Sequence, residues 1–240
     1  MAVGLGVISL VSKLQLGGLN KFPRTTQATV TEHLRQAILL GHLPGGTRLL
    51  QTELAEALNV SATPVREALR ELSTQGLIEF DPFKGATVRM PTLSLLEEVY
   101  EMRSVLIPLS VKKGIAQITS KQISDAEALL RQMELTSNHE EWVDLNRQFH
   151  TVLDDATQTT QLKEFLRRLS DLSAIYINLS FSERPLRKEE SEQEHRAILE
   201  AYQRKEVDIA IQLTLNHLNG TLDAARKAVI KQQEDRILTR

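Results

Sequence analysis

The chain contains no cysteine. Disulfides, thiolate metal sites and a cysteine nucleophile are therefore excluded, and a reducing compartment is compatible with the composition. Excess positive charge is also missing. The net charge is −2, and residues 24–91 carry seven Lys/Arg against seven Asp/Glu. No global field draws nucleic acid to such a chain, so any DNA affinity must come from how charges are distributed over the surface. No run is apolar and long enough to span a bilayer. The stretch Met1–Leu19 has only Lys13 as a charge, but Gly4, Gly6, Ser9, Ser12, Gln15, Gly17 and Gly18 interrupt it. It lacks the basic start and compact apolar run of a signal peptide. Residues 1–23 therefore read as a loosely ordered extension, with a short packing helix as the alternative. Proline is scarce beyond residue 91, where only Pro108 and Pro185 occur, and there is no internal repeat or low-complexity tract. What remains is 41% hydrophobic and 25% charged over 240 residues, the profile of a globular protein with one large or two ordinary domains.

The most informative segment present is Leu54–Arg70. A short apolar helix runs into a polar turn, and a second helix with one apolar and one charged face follows. This is the pattern of a helix-turn-helix, which makes DNA the first partner to consider. Upstream, Val30, Leu34, Ala37 and Ile38 recur at helical spacing over 29–40, and Gly41 stops the helix. His42-Leu43-Pro44-Gly45-Gly46 is a turn, and residues 51–58 form a second short helix. A third is expected from Thr63 to Gln75. Ser61 or Thr63 can cap it, Pro64 suits its first turn, and Gly76 ends it. Leu77–Phe80 reads as a strand, Asp81–Gly85 as a turn and Ala86–Met90 as the antiparallel return. Three helices and a hairpin predict a winged helix-turn-helix over 24–91. Pro91-Thr92 marks a boundary. Helical periodicity then dominates: 93–117, 121–137, 139–156, 159–180, 188–204 and 206–234. Residues 92–235 should form an all-α antiparallel bundle, so the fold class is mainly α.

In the third helix Val65, Ala68, Leu69 and Leu72 would face the core, leaving Thr63, Arg66, Glu67 and Arg70 on the other side. Arg66 and Arg70 lie one turn apart and can reach a groove wall or a base edge. Ser61 and Thr63 at the helix start can bond phosphate, aided by the helix dipole. Lys84 and Gly85 sit at the hairpin tip, where a glycine lets the backbone approach a minor groove. Arg35 on the first helix completes the expected DNA-binding set. The plainer reading is that Glu67–Arg70 and Arg66–Glu71 are ordinary surface pairs; the preceding helix, turn and hairpin favour DNA.

In the second half Asn146 and His150 share a helix face beside Trp142, Leu145, Phe149 and Val152. His195 falls with Ile198, Leu199 and Tyr202, and His217 with Ala210 and Leu213, each on an inward face. Converging imidazoles inside a bundle can hold a divalent metal such as Zn²⁺, Ni²⁺ or Mn²⁺. Taken singly, each could instead be a core histidine bonded to a neighbour. His33, His42 and His139 read as surface or turn residues. Arg103 shares a face with Val99, Met102 and Leu106, so its guanidinium points inward and needs an anion. A structural ion pair with Glu101 or Asp155 would also serve.

Residues 28–90 resemble the GntR family of bacterial regulators. The resemblance is carried by Gly41-His42-Leu43-Pro44-Gly45-Gly46-Thr47-Arg48-Leu49, Glu53-Leu54-Ala55, Val60–Leu69 and Gly76-Leu77-Ile78. Residues 93–230 resemble the all-helical FCD effector domain found in FadR-like members. The resemblance implies a homodimer on a short palindromic duplex, with the third helix in the major groove and the wing glycine near the minor groove. It also places Asn146, His150, His195 and His217 as metal ligands and Arg103 as a clamp for a small carboxylate effector. Three departures stand out. Ala62 replaces the usual Arg between Ser61 and Thr63, which removes one contact to DNA. Asn146 replaces the commoner Asp, which keeps a carbonyl oxygen but loses a charge. Ile107 stands where relatives usually have Glu. The expected function is a ligand-responsive transcriptional regulator, a repressor, cytoplasmic and nucleoid-associated, with no membrane partner and no enzymatic activity. Two alternatives compete. One is a metal-dependent hydrolase or lyase, with Asp154 or Asp155 as a base one turn beyond His150. The other is an architectural DNA-binding protein with an inert bundle.

Overall fold

The structure is a computed structural model that describes residues 26–81, 85–183 and 187–238. The expected N-terminal extension and Lys84 lie outside the described residues. The chain divides into two compact units, Met1–Met90 and Pro91–Arg240.

The first unit contains α1 (Thr26–Leu39), β1 (Arg48–Leu49), α2 (Gln51–Ala57), α3 (Ala62–Thr74), β2 (Ile78–Asp81) and β3 (Gly85–Val88). Its core is aliphatic. Val30, Leu34, Ala37 and Ile38 of α1 and Val65, Ala68, Leu69 and Leu72 of α3 are all buried, together with Leu43, Leu54, Leu77 and Val88. The ends of α2 and α3 are built alike. After α3, Gly76 takes φ 84°, its N–H bonds Ser73 O, and the Leu77 N–H bonds Leu72 O. After α2, Asn59 takes φ 52°, its N–H bonds Glu56 O, and the Val60 N–H bonds Ala55 O. Both are the paired 6→1 and 5→2 bonds that close a helix through a left-handed residue. Asn59 therefore makes the turn between the two helices of the motif. β3 is the middle strand of a three-stranded antiparallel sheet in the order β1-β3-β2, with Arg48 opposite Thr87 and Ile78 opposite Val88. The sequence reading missed β1, because two residues have no periodicity to detect.

The second unit is helical: α4 (Leu93–Gln117), α5 (Ser120–Leu135), α6 (His139–Asp155), α7 (Thr160–Glu183), α8 (Arg187–Gln203) and α9 (Val207–Leu238). Connections of two to four residues join the helices in sequence, and α5 packs on α6, α6 on α7 and α8 on α9. α9 packs against α4, α7 and α8. Caps fix where the helices start. Thr92 Oγ1 accepts from Leu95 N, Thr119 and Gln122 form a reciprocal capping box, and Asn138 Oδ1 accepts from the N–H groups of Glu140 and Glu141. The last of these sets the phase of α6. Trp142, Leu145, Asn146, Phe149 and Leu153 then face inward. On α4 the inward face is Val99, Tyr100, Arg103, Ile107, Ser110 and Val111. Met102, expected beside Arg103 in the interior, instead turns outward. Among the described residues no helix is long and apolar enough to cross a membrane.

Candidate functional site

In the first unit Ser61, Thr63, Arg66 and Arg70 are all exposed along the first turns of α3. Ser61 occupies the N-cap position, but its side chain makes no capping bond, so its hydroxyl and the first N–H groups of α3 remain available to an anion. Glu67 Oε1 accepts from Arg70 Nη1 at 3.0 Å and from Arg66 Nε at 3.4 Å. These pairs are solvent-exposed, and such pairs are weak enough to yield to phosphate. The expected Arg66–Glu71 pair is not formed. Glu71 instead accepts from Thr31 Oγ1 at 3.1 Å and from Gln75 Nε2 at 3.2 Å. Arg35 is also turned to this internal network. It donates to Glu32 Oε2 at 2.7 Å and to Gln75 Oε1 at 2.9 Å, and so braces α1 against α3. Gly85 is exposed with φ 75°, and a Cβ added there would meet nothing within 4 Å. The position requires a backbone conformation, not space.

In the second unit His150 of α6, His195 of α8 and His217 of α9 converge. His195 Nε2 lies 3.2 Å from His150 Nε2 and 3.3 Å from His217 Nε2. His195 is fully buried, and Phe149 packs on it with ring centroids 4.8 Å apart. Burial lowers the pKa of all three rings, and their mutual repulsion lowers those of His150 and His195 further. The rings are therefore neutral, the form that ligates metal. Three mutually facing Nε2 atoms cannot all be satisfied by one another. In addition, the buried Asn146 Oδ1 and His195 Nδ1 have no hydrogen-bond partner among the described residues. Two nitrogens bound about 2.1 Å from one ion at angles of roughly 90–110° lie about 3.0–3.4 Å apart. The histidine spacings fall in that range, so the donor set fits a divalent cation.

His217 is oriented from outside this cluster. Its Nδ1 lies 2.6 Å from Glu194 Oε2, and Arg187 grips the same carboxylate with two bonds of 2.7 and 2.9 Å. Burial works against the Glu194 charge. The bonds from His217 and Arg187 outweigh it and hold the carboxyl well below the usual carboxylate range. An ionised Glu194 accepts the Nδ1 proton, which leaves the Nε2 lone pair of His217 directed at the cluster. Arg187 also donates to His217 O and Thr221 Oγ1. Gly220 makes room for it, since a Cβ there would sit 3.2 Å from Arg187 Nη2. The sequence reading missed Arg187 and Glu194. Their seven-residue spacing placed them on one face of α8, but nothing in the spacing pointed across to α9.

Arg103 is 8% exposed, donates to Ser173 Oγ at 2.9 Å and lies 5.5 Å from the Tyr100 ring centroid. Neither expected ion-pair partner reaches it: Asp155 pairs with Lys163, and Glu101 is exposed. Among the described residues no carboxylate lies within ion-pair distance of Arg103. It lines two small cavities, and His150 and His217 line both as well. Asn146 faces one cavity; Asp154, Ile107 and Tyr202 face the other. Burial pushes the Asp154 carboxyl up to about 6, against the opposing pull of Ser110 and Arg103. Two histidines expected at the surface or in turns are otherwise placed. His139 bonds Asn178 Oδ1 at 2.7 Å, and His33 is partly buried with Nε2 enclosed.

Residues 26–88 match the bacterial regulatory proteins of the gntR family, and residues 98–220 match the FCD domain. The chain belongs to the GntR family. Within it, the chain is 30% identical to the HTH-type transcriptional regulator YdhC of Bacillus subtilis, over 84% of this chain and 92% of that protein. It is 24% identical to the gluconate operon transcriptional repressor of the same species, over 87% of this chain and 88% of the relative. The solved structure of Escherichia coli McbR/YncC superposes with a TM-score of 0.77 at 21% identity, covering 85% of this chain and 98% of that one; at that identity the likeness concerns the fold. This GntR protein is thus a DNA-binding transcriptional regulator with an FCD domain. Its relatives are regulators, and nothing in them supports the hydrolase or lyase alternative.

Proposed function

We propose that this GntR protein is a ligand-responsive repressor whose second unit holds a divalent metal and a small organic acid. The metal ligands are Asn146, His150, His195 and His217, and Arg103 takes the acid's carboxylate. The observation that carries this reading is Arg103: a buried guanidinium that, among the described residues, has no carboxylate within ion-pair distance, and that lines the same cavities as His150 and His217. A buried charge without a counter-ion is costly, and a small carboxylate satisfies it. A divalent metal held by these residues would supply positive charge that attracts a carboxylate. Glu194 and Arg187 hold His217 toward the histidine cluster, Ser173 and Tyr100 hold Arg103, and Leu218 lines both cavities.

For DNA, α3 enters the major groove, with Arg66 and Arg70 reaching base edges or phosphates and Ser61 and Thr63 at its positive end; Lys84 and Gly85 of the wing lie near the minor groove. Two copies read the two halves of a palindrome. An exposed apolar stripe on α4 supports self-association: Met102, Val105 and Leu109 are 46%, 70% and 46% exposed and share one face. Repression, rather than activation, draws support from the gluconate operon repressor among the relatives. The test is a thermal-shift screen of small carboxylic acids with added Zn²⁺, Ni²⁺ or Mn²⁺ and with EDTA. A ligand that binds only the folded state raises Tm. The reading expects a rise for one class of acid that EDTA abolishes; a protein that no acid and no metal stabilises would overturn it.

A further inference from the structure

We propose that Glu67 sets the sequence preference of the DNA-reading helix: through Oε1 it holds Arg66 and Arg70, and through Oε2 it accepts from the amino group of a cytosine in the major groove. This rests on the reading above that α3 enters that groove, and adds the base that the helix selects. At about 100° per residue, Thr63, Glu67 and Arg70 lie within an arc of about 60°. That arc is on the side of α3 opposite the buried Val65, Ala68, Leu69 and Leu72. A carboxylate therefore stands near the middle of the face that meets DNA in this reading. Its Oε1 accepts from Arg70 Nη1 at 3.0 Å and from Arg66 Nε at 3.4 Å. Among the described residues nothing bonds its Oε2, and nothing bonds Nη1 or Nη2 of Arg66.

A carboxylate among phosphates is repelled, so Glu67 weakens binding to every duplex unless a base donor offsets it. Its pair with Arg70, three residues on, adds only a little to helix stability. Glu71 shows what a structural acid on this helix does: it accepts from Thr31 of α1 and from Gln75. Among the described residues Glu67 bonds no other element. In the major groove, cytosine offers an amino donor and no acceptor. Guanine and thymine offer acceptors, and adenine sets an acceptor beside its donor. A lone carboxylate oxygen therefore favours cytosine over the other three. The two free terminal nitrogens of Arg66 match the paired acceptors of a neighbouring guanine.

The experiment is selection of duplexes from random sequence with the full chain, for the wild type and Glu67→Gln. Fluorescence anisotropy then follows on the selected duplex, on its single base-pair variants and on an unrelated duplex. The glutamine keeps the shape of a side chain that is 38% exposed, and a glutamine matches adenine. The wild type should fix one cytosine per half-site, and replacing it should weaken binding by about tenfold, the worth of one hydrogen bond to a charged group. In Glu67→Gln that position alone should change from cytosine to adenine, and the unrelated duplex should bind about threefold more tightly. If both proteins select the same sequence and differ by one factor on every duplex, Glu67 acts as charge alone: the inference is overturned and the DNA-reading role of α3 stands. Arg66→Ala tests that role separately. If it selects and binds the same duplex as the wild type, α3 does not read the groove, and the inference falls with it.

Discussion

At His217 the surrounding residues decide which ring nitrogen is left for a ligand. Glu194 takes Nδ1 and Arg187 holds Glu194, so Nε2 points at His195. Glu194→Gln keeps the shape and removes the charge. We expect metal affinity to fall by roughly 10–100-fold, measured by competition with a chelator of known affinity; an unchanged affinity would separate Glu194 from the cluster. Asp154 makes a second prediction at this scale. Its carboxyl titrates near 6 in the folded chain, against about 3.9 when unfolded. The folded state therefore binds the extra proton between those values, and stability falls as pH rises through that window. Replacing Asp154 by Asn removes the loss. In chelator-treated protein the variant should match the wild type near pH 4 and exceed it by on the order of 2 kcal/mol at pH 7.5, read from denaturant midpoints. Much of this layer was legible in the sequence: the three histidines, Asn146 and Arg103 all face the interior because helical spacing assigns faces. Their supporting partners were not. Ser173, Glu194 and Ser110 act across helices, and periodicity along one helix carries no information about its neighbour.

Among the elements, α3 owes its placement to the turn before it. Asn59 at φ 52° closes α2 and launches the chain toward Ser61. A side chain with a β-carbon but no local hydrogen-bonding group is strained there. Asn59→Ala should lower stability by about 1 kcal/mol and Asn59→Gly should be neutral or mildly stabilising, by urea denaturation; equal effects of the two would show that the left-handed turn is unimportant. The helix boundaries were readable to within a few residues, because caps and glycines mark them. The phase of α4 was read less well. Pro108 lies inside the helix, and a helix with apolar residues on both its inner and outer faces offers two plausible interiors. Met102 was therefore assigned inward with Arg103, while the structure buries Tyr100 and Ile107 there. The outer stripe left by that correction is the surface on which we expect two copies to meet. Val105→Glu, at the most exposed position of the stripe, should convert a dimer to a monomer in sedimentation velocity without lowering Tm of the isolated chain. A variant that remains dimeric would move the interface elsewhere.

For the whole molecule, the two units match two families along one chain, a DNA-binding module at 26–88 and an effector-type bundle at 98–220. For the bundle to control the DNA-binding module, a ligand must bind it with different affinity in the DNA-bound and free states, and the coupling must be reciprocal. The buried Arg103 is the residue on which that ligand reading turns. The most direct measurement is operator binding by fluorescence anisotropy, on a duplex selected from random sequence, with and without the acid that raises Tm, for the wild type and Arg103→Ala. The account predicts that the acid shifts wild-type operator affinity by at least about fivefold, and that Arg103→Ala binds the duplex equally well but no longer responds. An Arg103→Ala protein that responds to the acid as the wild type does would contradict it.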